Sequence, residues 1–312
     1  MLIADTAAAF ASLEGTGVTI GNFDGVHLGH QALVRRTLEV CAENGLDCVV
    51  VTFAPHPRTV LAPERPHAPL TTRAERFALL ERLGVRRILE LPFTRKLAAL
   101  PPAAFVREYL LPLRPRNLVV GHDFTLGRER SGHPAVLQAL GRDLGFAVEQ
   151  VAAVMAGGAP VSSTRLRGCL AEGDVALARR LLGRPYALAG TVAHGEGRGR
   201  GLGFPTANLE GAATLLPANG VYATRALCGG RRFDAVTNIG RKPTFGGDRL
   251  TVESFLLDAG GDFYGQDLRL EFAGRLRGER RFADADALSR QIAADVAAAR
   301  GLLAAHAGEA TS

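Results

Sequence analysis

GVTIGNFDGVHLGHQALVRRTLEVCAENGLDCVVVTF, residues 17–53, reads as a single βαβ unit. The apolar run VTI is a strand, GNFDGVHLGH a loop, and CVVVTF at 48–53 a second strand. Between them Leu33, Val34, Thr37, Leu38 and Cys41 recur at helical spacing, and Gly45 supplies the left-handed residue on which helices commonly end.

Outward from this unit the alternation repeats. TTRAERFALLERLG (71–84) is helical behind a threonine cap, RRILEL (86–91) extended, PAAFVREYLL (102–111) helical behind prolines, and NLVVG (117–121) extended. A helix near 134–144, the strand FAVEQV (146–151) and helical stretches near 163–182 complete a first domain, residues 1–184. Such alternation predicts a parallel sheet, here an α/β Rossmann-like doubly wound fold.

After Arg184-Pro185-Tyr186 the periodicity changes. YALAGTVAHG, GVYATRAL, RRFDAVTNIG, LTVESFLL and DLRLEF are short alternating runs separated by glycine-rich turns, which predict a small antiparallel β-barrel for residues 185–312. An amphipathic helix over 284–305 closes the chain, and the tail GEATS is expected to be disordered.

Composition agrees with two ordinary cores: of 312 residues, 47% are hydrophobic and 22% charged. No apolar run approaches the roughly 20 residues that cross a bilayer, and MLIADTAAAF lacks a basic secretory n-region, so the expected location is cytoplasmic. Four cysteines, Cys41, Cys48, Cys169 and Cys228, are scattered without CxxC pairing, which argues against a zinc cage or a disulfide framework. The net charge of +6 suits anionic ligands but selects no partner. Expected partners are small substrates, with neither nucleic acid nor membrane, on a monomer or weak homo-oligomer.

In an open parallel sheet, ligands bind at the carboxyl ends of the strands. Four loops placed there carry polar signals: GNFDGVHLGH (21–30), APHP (54–57), GHDFTLG (121–127) and VSSTRLR (161–167). In the first, Gly21 and Gly25 permit tight turns, while His27 and His30 stand three apart at a helix start, where N–H groups and the helix dipole favour phosphate. Either histidine alone reads more plainly as a cap or core residue; the HxGH spacing favours the phosphate reading. Zinc needs three or four ligands, and no further cysteine or histidine pair stands nearby at ligand spacing. Ser163 or Thr164 offers a helix cap and phosphate donor, and Arg167 a permanent cation.

HGEGRGRGLGFPTANL (194–209) is no Walker loop, since the two lysines, Lys96 and Lys242, lie elsewhere. Its glycines Gly195, Gly197, Gly199, Gly201 and Gly203 can wrap polyphosphate, whereas Thr206 and Asn208 put two neutral oxygens on one face of an extended segment, as Mg²⁺ bound with nucleotide requires. A turn-rich linker and an RG-type nucleic-acid contact remain alternatives, although no aromatic residues interleave to stack bases. Along LTVESFLL, Glu253 shares a face with Phe255 and Leu257. Burial there would raise its pKa toward that of a general base; if the apolar face is the other one, Glu253 is solvated. The strand alone leaves both open.

Together GNFDGVHLGH, TFAPHP, VVGHDFTLG and VSSTRLR resemble the FMN adenylyltransferase module of bacterial bifunctional riboflavin kinase/FAD synthetases. GLGFPTANL, NGVYA, NIGRKPTF, VESFLL and FYGQDLRLEF resemble the riboflavin kinase module, and the likeness spans about residues 15–305. By that resemblance Gly21, Phe23, His27, His30, Ser163, Thr164 and Arg167 serve ATP, while His56 and Asp123 lie toward FMN and the metal. In the second module Thr206 and Asn208 hold Mg²⁺ with ATP, Glu253 is the base, and Gly195 to Gly203 form a phosphate flap. Ala54 stands where an acid is frequent, Leu126 where phenylalanine is, and Phe255 where many relatives have histidine. The implied function is phosphorylation of riboflavin by the second domain and adenylylation of FMN by the first; the alternative is a single-activity enzyme whose other module only binds or regulates.

Overall fold

The structure, a computed structural model, describes residues 1–65, 67–194, 204–244 and 247–308. The chain forms two compact units, Met1–Ser162 and Ser163–Ser312. In the first, six strands, β1 (Leu2–Ala4), β2 (Thr16–Ile20), β3 (Asp47–Ala54), β4 (Arg87–Pro92), β5 (Pro115–Gly121) and β6 (Ala147–Val151), make one parallel sheet ordered β1-β4-β3-β2-β5-β6. The apolar runs lack alternation because both faces are covered. Val18, Ile20, Val49, Val51, Leu118 and Val120 enter one core cluster. Val50, Ile88 and Val119 enter another, under helix α1 (Leu28–Asn44), which contributes Leu33 and Val34. Helix α1 packs closely on β2: a Cβ at Gly17 would come 2.3 Å from Cys41 Sγ.

Short α2 (Pro57–Leu61), then α3 (Arg73–Arg82) and α4 (Arg95–Ala98), connect the strands up to β5. The helix expected over 102–111 is regular only as α5 (Pro102–Phe105) and then opens into a π turn at Val106–Leu110, ahead of Pro112, whose ring cannot continue the hydrogen-bond ladder. Helix α6 (Pro134–Leu144) precedes β6, and a small hairpin, β7 (Met155–Ala156) with β8 (Ala159–Pro160), follows it. That hairpin and edge strand β1 are too short for periodicity to reveal. Strand order reverses between β2 and β5, so a crevice opens at their carboxyl ends.

The second unit begins with α7 (Ser163–Glu172) and α8 (Val175–Leu182). Six strands, β9 (Tyr186–Ala193), β10 (Thr206–Glu210), β11 (Gly220–Cys228), β12 (Arg231–Thr244), β13 (Gly247–Leu256) and β14 (Asp267–Arg277), close an antiparallel barrel ordered β10-β13-β12-β11-β14-β9. The change in periodicity at 184/185 marks where the barrel starts, whereas the packing boundary lies earlier because α8 packs on β9 and β14. Inside the barrel a hydroxyl chain links Thr224, Thr237 and Ser254 at 2.7 and 2.9 Å, which satisfies three buried polar groups. Helix α9 (Ala285–Gly308) buries Ala299 and Leu303 against Val221, Ala223 and Val236 and is fixed by the Arg277–Asp295 pair at 2.7 Å. Residues 309–312, most of the tail expected to be disordered, lie outside the described residues. No helix among the described residues is long and apolar enough to cross a membrane.

Candidate active sites

In the first unit the loop after β2 carries HxGH. Phe23 and Val26 hold positive φ values of 51° and 40°, and Gly25 one of 84°. For non-glycine residues such angles cost about 1–3 kcal/mol each and persist only where packing over-determines them. Both side chains are fully buried among Leu33, Val34 and Val50. Phe23, expected among the ATP contacts, therefore has only its main chain to offer a ligand. Its ring instead supports His30 edge-on, at 5.3 Å between centroids. Gly21 donates its N–H to Val51 O, and a Cβ there would press on the Phe23 ring.

His27 is the N-cap of α1, its Nδ1 accepting the His30 main-chain N–H at 3.2 Å. That bond engages the Nδ1 lone pair, so the neutral ring carries its proton on Nε2 as a donor. The two imidazoles stack at 3.6 Å, 15° apart. Burial, reinforced by neighbouring His27, holds the His30 pKa well below 6.5, so His30 is neutral near pH 7. His30 Nδ1 is buried without a hydrogen-bond partner among the described residues. A neutral donor pair at a helix start is chemistry suited to charge growing on a phosphoryl group.

The depressed pKa has a stability consequence. The unfolded chain takes up a proton that the buried ring refuses, so the His30 contribution is full above about pH 6.5 and is lost as pH falls toward the lower folded value. Comparing thermal unfolding at about pH 5.5 and about pH 7.5, wild type is expected to lose more stability on acidification than His30→Asn; equal losses would contradict a buried neutral ring.

Three adjacent strands feed the same rim: β3 carries His56, β2 the histidine pair, and β5 Asp123. His56 caps α2, its Nδ1 accepting the Arg58 N–H at 3.1 Å. The Asp123 side chain is 76% exposed, 3.8 Å from His122 Nδ1. Asp24, His56 and His67 have ligand atoms within 4.8 Å of one another. The rings of His56 and His67 stack at 4.1 Å, 23° apart, so their in-plane lone pairs run side by side rather than converge on one ion. This group does not form a metal centre as arranged.

Sequence reasoning missed what holds the loop. Asp24 Oδ1 accepts Leu70 N–H at 2.8 Å and Thr71 N–H at 3.4 Å, and Thr71 Oγ1 accepts Gly25 N–H at 3.1 Å. Arg76 donates to Asn22 O at 3.2 Å and to Glu90 Oε1 at 3.0 Å. The acid in IGNFDG and the one in RRILEL, inside apolar surroundings, were the available signals.

Ser163, Thr164 and Arg167 lie on α7, within the second unit. Helix α7 starts at Ser163, so Ser162 precedes the helix and Ser163 and Thr164 sit in its first turn rather than at the cap. In the barrel, Asn208 on β10 is directly paired with Glu253 on β13, and Glu253 with Asn238 on β12. Strand β13 turns Val252, Ser254 and Leu256 inward, all buried, so Glu253 and Phe255 face outward and are half-buried. Of the two alternatives that the strand left open, the inward face is the one opposite Glu253, yet Glu253 and Phe255 stay half-buried rather than solvated. The reason is that β13 is apolar on both faces, and Phe255 is covered locally by Phe204, edge to face at 5.4 Å. Thr206 and Asn208 share the outward face of β10. Hydroxyl and carboxamide oxygens beside a carboxylate fit Mg²⁺ by donor chemistry. Asn238, which completes the polar row, was not singled out from sequence; NIG marked only a strand end. The glycines Gly195, Gly197, Gly199, Gly201 and Gly203 lie outside the described residues.

Comparison with known proteins bears on both sites. A family model described as FAD synthetase matches residues 9–165, and one described as riboflavin kinase matches residues 182–303. The chain is 44% identical over 293 residues to a bifunctional riboflavin kinase/FMN adenylyltransferase of Pseudomonas fluorescens, covering 93% of this chain and 94% of that one. It is 40% identical over 292 residues to the protein of that name from Escherichia coli K12, covering 93% of each. A crystal structure described as a macrolide-efflux protein from Streptococcus pneumoniae superposes with a TM-score of 0.87 at 30% identity, over 96% of this chain and 98% of that one.

Proposed function

Because this chain belongs to the bifunctional riboflavin kinase/FMN adenylyltransferase family, we propose that it converts riboflavin and ATP to FMN and ADP in residues 185–312, and FMN and ATP to FAD and pyrophosphate in residues 1–184. The observation that carries the reading is that the His27–His30 pair and the paired Asn208 and Glu253 belong to separate compact units. Two chemistries then have two sites.

In adenylyl transfer, His27 Nε2–H and neutral His30 donate to charge developing at the α-phosphate, Gly21 and the main chain of Phe23 accommodate the nucleotide, and Ser163, Thr164 and Arg167 receive the other phosphates. His56 and Asp123 lie toward FMN. In the kinase, Glu253 accepts the proton of the ribityl 5′-hydroxyl as its oxygen bonds to the γ-phosphorus of ATP and ADP leaves. Thr206 and Asn208 would hold Mg²⁺ with ATP; the glycines that the resemblance assigns to the phosphates lie outside the described residues. When bound, the ion neutralises phosphate charge. The reading puts the enzyme in the cytoplasm as a monomer or weak homo-oligomer, without nucleic-acid or membrane partners.

Purified protein incubated with riboflavin, ATP and Mg²⁺ is expected to accumulate FMN and then FAD, resolved by chromatography. Supplying FMN in place of riboflavin isolates the second reaction. Product stopping at FMN, or FAD formed only from supplied FMN, would reduce the protein to one activity.

A further inference from the structure

We propose that Thr71 and Arg76 are positioning residues for adenylyl transfer, acting through the backbone of the histidine loop at Gly25 and Asn22. The inference rests on the reading that His27 and His30 serve that reaction. The loop between β2 and α1 holds left-handed backbone at Phe23, Gly25 and Val26, so its shape is not one the free chain would keep. Apolar burial of Phe23 and Val26 fixes it from below. Three of its polar groups, the Asn22 carbonyl, the Asp24 carboxylate and the Gly25 N–H, are held by the segment Leu70–Arg76, while Gln31 on α1 donates to Val26 O at 3.0 Å.

Thr71 Oγ1 takes the Gly25 N–H, the Leu70 and Thr71 N–H groups hold the Asp24 carboxylate, and Arg76 Nη1 holds the Asn22 carbonyl. Arg76 is itself aimed by Glu90 on β4, which Arg73 also engages at 2.7 Å. Thr71, Arg76 and Glu90 are all buried. The chain β4–Glu90–Arg76–Asn22, together with Thr71–Gly25, ties the loop to the sheet on which it rests. A histidine donor helps only if it meets the phosphoryl oxygen in the transition state, and displacement by a fraction of a bond length is costly. Loosening this clamp therefore lowers kcat while leaving substrate affinity nearly unchanged.

Thr71→Val keeps the shape but removes the oxygen that accepts the Gly25 N–H; Thr71→Ser restores that acceptor. For FAD formation from FMN, Thr71→Val is expected to lower kcat about tenfold or more with KM for ATP and FMN within about threefold, and Thr71→Ser to recover most of it. Riboflavin phosphorylation by the barrel should be unchanged in both, which reports on folding within the same chain. A wild-type kcat in Thr71→Val, or an equal loss in Thr71→Ser, overturns the proposal, as does a fall in both activities together. If Thr71→Val does not fold, Arg76→Lys decides on the same kcat criterion, because lysine keeps the charge but cannot bridge Asn22 and Glu90 with one planar fork. Full activity in His30→Ala would overturn the underlying histidine reading, whereas an inactive His30→Ala beside an active Thr71→Val overturns only the positioning role.

Discussion

Glu253→Gln is expected to lower kcat for FMN formation by roughly 10²- to 10⁴-fold, the range in which general acid–base catalysis contributes, with KM for riboflavin and ATP little changed. Glutamine preserves the outline of the side chain between Asn208 and Asn238 and can still hydrogen-bond, but it cannot accept a proton. Loss confined to kcat would identify an interaction made in the transition state. Because Asn208 on β10 lies directly across from Glu253, the same substitution also tests whether strand register built the site. FAD formation from supplied FMN should stay at the wild-type rate. A kcat for FMN formation equal to wild type would leave Glu253 an outward strand residue with no part in proton transfer.

His30→Ala is expected to reduce FAD formation from FMN by roughly 10²-fold or more, the scale seen when one donor aimed at transition-state charge is removed, and to spare riboflavin phosphorylation. Alanine also takes away the ring that stacks on His27 and packs on Phe23, so the kinase rate and the unfolding temperature must be followed in the same sample. At His27 the informative change is asparagine. His27 caps α1, and losing a cap costs about 1 kcal/mol, but asparagine is itself a favoured cap, so the change removes the ring, with its Nε2 donor and its stack on His30, and keeps a capping oxygen. His27→Asn should therefore match His30→Ala in activity while keeping the helix. Full FAD output in both variants would return the pair to capping and core duties.

Much of this was legible along the chain. Uninterrupted apolar runs such as CVVVTF require a sheet covered on both faces, and the observed β3 has one core cluster on each side. Gly45 ends α1 in the left-handed region, as its place after the last periodic residue implied. The polar loops stand after strands because strands and loops are read from local composition. These are properties of neighbours in sequence, and the sequence by itself determined them: two folding classes in succession and the HxGH helix start.

Tertiary structure alone decided which groups meet. That Asn208, Glu253 and Asn238 form one row follows from the pairing of β10, β13 and β12, and pairing is set by hydrogen bonds between segments far apart in the chain. Which face of β13 turns inward could not be read from period-2 alternation, since Val252 and Leu256 on one side and Phe255 on the other are all apolar. The clamp on the histidine loop joins Asn22, Asp24 and Gly25 to Leu70, Thr71, Arg76 and Glu90, residues that carry no shared motif. A strained backbone is tolerated only where distant packing and hydrogen bonds outweigh its cost, and that balance exists only once the sheet has assembled.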